Sequence, residues 1–244
     1  KFSINDWTED ECWADFRFHK DDLYRLQTAL NFVEPIITDN RLNVDPLEAS
    51  CILLKRLAFP CRYSDMIPRF GRSVPDLCLI FNKTLDKVYN DFGHLLTSFN
   101  QQWLSRQNLK EFADAIHAKG APLDVCWGFI DGTLRQVARP GEDQQAMYSG
   151  HKRHHGFKMQ SISAPNGLIV NLFGPVAGSR HDSYQSGLMN LLERYSYAPN
   201  GQPLCIYGDP AYPFCEKLQT GFKNVSTPAE DLYNQKMSSV RVSV

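Results

Sequence analysis

The chain has 244 residues, a net charge of −1 and 43% hydrophobic side chains. That suffices for an α/β domain with a sizeable core plus a smaller helical module, and it gives no global charge signal for a polyanion. No apolar run reaches the roughly 18 residues of a membrane helix, so no membrane partner is expected.

The opening Lys-Phe-Ser-Ile-Asn-Asp-Trp does not read as a signal peptide. Seven scattered cysteines contain no Cys-x-x-Cys pair. They indicate neither a zinc cage nor a disulfide framework, and reduced thiols in a cytosolic or nuclear protein are the plain reading. Charge is unevenly spread. Residues 1–46 carry 5 basic and 10 acidic side chains, and residues 47–110 carry 9 basic and 5 acidic. The local excess of basic groups suits contact with a polyanion; a solvated helical face explains it equally well.

In chain order, the first half reads as helical. Phe16, Leu23, Leu26, Leu30 and Val33 recur at roughly helical spacing. A segment from Leu47 to Phe59 carries Ile52, Leu53 and Leu57 and stops at Pro60. A short piece from Tyr63 to Phe70 is broken by Gly71, and Ser73-Val-Pro-Asp76 resembles a capping box. The helix it opens holds Leu77, Ile80, Phe81, Leu85 and Val88. Three helices, a tight glycine turn and a basic surface fit a helix-turn-helix. Its recognition helix would be Pro75 to Asn90, offering Asn82, Lys83 and Lys87 to DNA. A bundle that only packs is the simpler reading of the periodicity alone.

Near Leu123 the character changes. Short apolar segments at 125–131, 133–138, 157–163 and 167–173 read as strands, the last two joined by a Pro-Asn-Gly turn at 165–167. Asp182 and Ser183 would cap a helix through Leu188, Leu191, Leu192 and Tyr195, and a strand at 204–208 follows. The last segment opens with a Thr227-Pro-Ala-Glu230 capping box. Its helix would set Asn234, Ser238 and Arg241 on one face. The expected fold class is α/β, a mixed sheet preceded by helices.

Two aspartates stand out. Asp131 closes Val125-Cys-Trp-Gly-Phe-Ile-Asp131, and Asp209 closes Leu204-Cys-Ile-Tyr-Gly-Asp209. Strand ends are where α/β folds place ligands, and two carboxylates from neighbouring strands suit a hard divalent cation. Singly, each also reads as a turn residue, since Asp131 precedes Gly132 and Asp209 precedes Pro210. The run Gly150-His-Lys-Arg-His-His-Gly-Phe-Lys158 is the densest cationic stretch. Its histidines lack cysteine or carboxylate partners at zinc-ligand spacing. Lys152, Arg153 and Lys158 are better read as neutralising phosphates beside an acidic metal site, or as a solvated loop. Asp182 is a third metal candidate with a helix-cap alternative.

Five motifs occur in order: Phe129-Ile-Asp131-Gly-Thr, Tyr148-Ser-Gly-His-Lys152, Gly178-Ser-Arg-His-Asp182-Ser, Tyr207-Gly-Asp209-Pro-Ala-Tyr212 and Asn234-x3-Ser238-x2-Arg241. Over roughly residues 45–244 this resembles the PIF/Harbinger group of DDE transposases and the nucleases derived from them. The resemblance implies an RNase H-like catalytic core over 121–244, preceded by a helix-turn-helix-like region over 47–120 and a helical segment over 1–46. It implies DNA cleavage and strand transfer with two Mg²⁺ or Mn²⁺ ions, Asp131 and Asp209 being the first two catalytic acids. It places a third acid four residues after Arg241, at position 245, so the core as read stops short of it and the second ion is expected to bind weakly. Arg241 joins the DNA-contact candidates. DNA is the implied partner, with a nuclear location, a separate DNA-binding accessory protein and a homo-oligomer as further expectations. The alternative function is a catalytically inactive or domesticated protein that binds DNA or a partner. A third reading is a structural α/β protein with two turn aspartates.

Overall fold

The computed structural model of the chain describes residues 2–179 and 187–243, which divide into two units, Lys1–Gly93 and His94–Val244. In the first unit, α1 (Glu9–Phe16) starts at a complete Thr8/Glu11 capping box and ends at Arg17 in the left-handed region. α2 (Lys20–Ala29) follows. The apolar series from Phe16 to Val33 is therefore split between two helices. Phe16 and Leu23 are buried, whereas Val33, beyond the end of α2, is exposed.

A two-residue pair, β1 (Ile36–Ile37) and β2 (Asn43–Val44), leads to α3 (Pro46–Ala58). Asp45 caps α3 by accepting from the Leu47 and Glu48 amides. α4 (Tyr63–Phe70) stops at Gly71, whose φ of 64° only glycine adopts without strain. α5 (Val74–Phe92) begins at Ser73, whose hydroxyl accepts from the Asp76 amide at 3.2 Å. Phe16, Ile52, Met66, Phe70, Leu77 and Ile80 form the core of this unit. Glu48, nearly buried, is held by a two-pronged contact from Arg72 at 2.8 and 2.9 Å.

The second unit opens with α6 (Arg106–Ala118) and the long strand β3 (Cys126–Gln136). Then come α7 (Gln144–Met147), β4 (Tyr148–Ser149), β5 (His154–Ser163), β6 (Ile169–Ala177), α8 (Leu188–Tyr195), β7 (Cys205–Gly208), β8 (Leu218–Thr220) and α9 (Pro228–Val242). Among the described residues the sheet runs β6-β5-β3-β7-β8, with β4 on the start of β5. β3, β5 and β6 are antiparallel; β3, β7 and β8 are parallel. The segments 125–131 and 133–138 are one strand rather than two. β5 pairs without a break across them, Asp131 opposite Ser161 and Gly132 opposite Gln160. The Asp131-Gly132 dipeptide is therefore not a turn, because a continuous ladder outweighs its local preference. The Pro-Asn-Gly hairpin is present, with Gly167 at φ 81° and Leu168 O accepting from the Ala164 amide.

Two clusters pack the central strands. Trp127, Ile130 and Ile206 meet Leu188 and Leu192 of α8; Cys126, Phe129, Cys205 and Tyr207 meet Met237 and Val240 of α9. A buried polar knot joins the loop after α8 to the first cluster. The Trp127 indole donates to Ser196 Oγ at 2.7 Å, and the Lys217 amine donates to Ser196 O at 2.7 Å while lying 3.5 Å from the Tyr197 ring centroid. Ser196→Ala leaves a fully buried indole N–H unpaired. It is expected to cost about 1–3 kcal/mol in urea unfolding; an unchanged midpoint would show the bond to be dispensable.

Candidate metal centre and its basic surroundings

The burial of β3 changes at one residue. Cys126 to Ile130 are buried and Asp131 is exposed. β7 is buried throughout, Asp209, the next residue, is half-buried, and exposure returns at Pro210. The parallel register pairs Phe129 with Tyr207. Each aspartate lies two residues beyond that pair. Both carboxylates thus lie at the same level of two adjacent strands, whose spacing is about 4.8 Å, where β3 leaves the core and β7 ends.

The face each takes follows from alternation along the strands. A bulge at Trp127 lets Cys126 pair with Cys205 and Gly128 with Ile206. Phe129 consequently shares the α9 face with Cys205 and Tyr207. Asp131 inherits that face, and there Arg241 of α9 meets it, Nη2 donating to Oδ1 at 2.5 Å. Asp209 lies past its strand end. Its Oδ1 accepts from the Ala211 amide at 2.8 Å, an Asx-turn contact spanning Pro210. It has both the turn role and the strand-end position that its sequence suggested.

α9 is anchored apart from its ion pair. Thr227 and Glu230 form the complete capping box, and Met237 and Val240 are buried. The Asn234 side-chain amide clamps one backbone unit, accepting from Phe222 N at 2.9 Å and donating to Phe222 O at 3.0 Å. The sequence placed Asn234 on the Arg241 face but not its role; only the seven-residue spacing hinted that clamp and ion pair act together. Tyr207 lies between the charges. Burial pushes its phenol up, Arg241 pulls it down and Asp209 pushes it up.

A cavity of about 470 Å³ opens beside Asp209, lined by Gly132, Leu134, Ser149, His151, Lys152 and Lys158 among others. Lys158 pairs with Leu134 across the ladder and shares its face, the one opposite Asp131. The predicted basic residues are thus divided: Lys152 and Lys158 accompany Asp209, and Arg241 accompanies Asp131. Ser149 and His151 join them, which sequence reasoning had not assigned. Arg153 is exposed in the left-handed turn next to Lys152, outside the cavity lining. Within the first unit, Lys83 lies 3.1 Å from Asp39, and Lys87 lies 2.7 Å from Asp91 and over the Phe32 ring. Asp182 lies outside the described residues.

The donor set suits a hard divalent cation. It consists of one carboxylate from within β3 and one just past the end of β7, the first of which already attracts a cationic group. Among the described residues no group of three or more His, Cys, Asp or Glu side chains converges. No helix of the described residues is long and apolar enough to cross a membrane.

Residues 130–244 match the family model of the DDE superfamily endonuclease. That match supports a DDE transposase-family endonuclease domain in this segment, which contains Asp131, Asp209 and Arg241. No curated protein and no solved structure matches the chain.

Gly208 tests how tightly Asp209 is set. A Cβ there would lie 2.7 Å from Ile130 Cγ2 and 2.8 Å from the Tyr212 ring. Gly208→Ala is expected to lose about 1–3 kcal/mol of stability by urea titration. Wild-type stability would mean both neighbours yield freely.

Proposed function

We propose that the chain is a divalent-metal-dependent DNA endonuclease and strand transferase of the PIF/Harbinger kind. The observation that carries this reading is the acid pair where two adjacent parallel strands leave the core, inside the segment that matches the DDE endonuclease family. The strand order, an antiparallel trio continued by two parallel strands after a helix, supports an RNase H-like core. The α3–α4–α5 succession, with its Gly71 turn, supports a helix-turn-helix-like module.

Mg²⁺ or Mn²⁺ held by Asp131 and Asp209, two ions in the complete reaction, would supply Lewis-acid activation of the phosphodiester and of its attacking oxygen. The rest of the work falls to side chains. Asp131 and Asp209 present hard oxygens at the one edge where both strands leave the core. Lys152 and Lys158 line the adjoining cavity and take up the backbone phosphates on that side, with Arg153 on its rim. Within the first unit, Lys83 and Lys87 are separate candidates for contact with DNA; their exposed acidic partners contribute little and yield readily to phosphates. A net charge of −1 leaves modest general attraction for DNA. A separate DNA-binding accessory protein, or a homo-oligomer that doubles the basic surface, would supply the remainder. A nuclear location accompanies a chromosomal substrate.

Nicking of supercoiled DNA in Mn²⁺ tests the proposal. The intact chain is expected to nick. Asp131→Asn and Asp209→Asn are each expected to slow the reaction by at least about 100-fold, the scale of losing one preorganised charge-stabilising group. Wild-type rates in both variants would sink the reading.

A further inference from the structure

We propose that Arg241 is a cation placeholder: it holds Asp131 while no divalent cation is bound, and is released to a DNA phosphate when one arrives. This rests on the metal-dependent reading above. The Arg241 guanidinium lies 2.5 Å from Asp131 Oδ1, on one of the two carboxylates a cation would need. A guanidinium keeps its proton throughout the physiological range. Competition from another cation is what frees Asp131.

That exchange costs little. The Asp131 side chain is 56% exposed and that of Arg241 25%, so the pair is worth what exposed ion pairs are worth. Nor does α9 depend on it. The Thr227/Glu230 capping box, the Asn234 clamp on Phe222 and the burial of Met237 and Val240 hold the helix with Arg241 disengaged. Once displaced, Arg241 keeps its charge and its planar fork, which suits a phosphate as well as a carboxylate. Cation binding and DNA binding are thereby linked, each favouring the other by the same factor.

The test combines Mn²⁺ calorimetry on the DNA-free chain with DNA binding across a salt series, in EDTA and in Ca²⁺. Arg241→Gln is expected to bind Mn²⁺ about three-fold more tightly, the size of one exposed ion pair. In Ca²⁺ its DNA affinity is expected to fall, with a salt slope smaller by about one. In EDTA, where Arg241 is tied to Asp131, the variant and the wild type are expected to show the same slope. Arg241→Lys keeps the charge and is expected to restore near wild-type behaviour in both assays, which a purely structural role would not predict. Unchanged or weaker Mn²⁺ binding by Arg241→Gln, or equal slopes in Ca²⁺, overturns the placeholder. Should Arg241→Gln unfold, an Arg241→Lys chain whose Ca²⁺ slope stays one below wild type overturns it equally. Wild-type Mn²⁺ binding that Asp131→Asn leaves untouched defeats the metal-site reading itself.

Discussion

The parallel ladder between β3 and β7 is the constraint on which the acidic edge depends. Both strands are buried on two faces, so their partners must be other strands and the helices that cover them. The ladder sets two carboxylates at one edge. The bulge at Trp127 sets the face, because one extra residue returns Phe129, and with it Asp131, to the side that α9 covers. Without the bulge, Asp131 and Arg241 would lie on opposite faces of the sheet.

Charge is then handled in two ways around that edge. On the α9 side one guanidinium meets one carboxylate. On the other side a cavity mixes Asp209 with Lys152, Lys158 and His151. A chain with almost no net charge thus still concentrates cations on two sides of one acidic edge.

α9 shows how a helix is made rigid near its working end. Its start is fixed by a reciprocal cap, its middle by the Asn234 amide on the Phe222 backbone, and its buried stripe by Met237 and Val240. Two helical turns separate Asn234 from Arg241, so the clamp and the ion pair lie along one side. The same cluster contains Phe129 and Tyr207, the residues that pair β3 with β7 immediately before the acids. Helix position and acid position are thus set by one patch of packing.

Much of this was legible in the residues themselves. The apolar run ending at Asp209 marked a strand end, the run ending at Asp131 marked where β3 leaves the core rather than its end, Thr227-Pro-Ala-Glu230 marked the start of α9, and Gly71 marked the α4 stop. These signals are local, since a cap, a turn or a buried run is decided by a few neighbouring side chains. The two-residue strands β1 and β2 were not legible, being too short to show a period. Nor was the continuity of β3 through Asp131-Gly132, which only pairing with β5 decides. The bulge, the division of lysines between two faces and the meeting of Arg241 with Asp131 across 110 positions belong to tertiary structure. Each depends on register, and register is set by which distant strand or helix supplies the missing half of the contact.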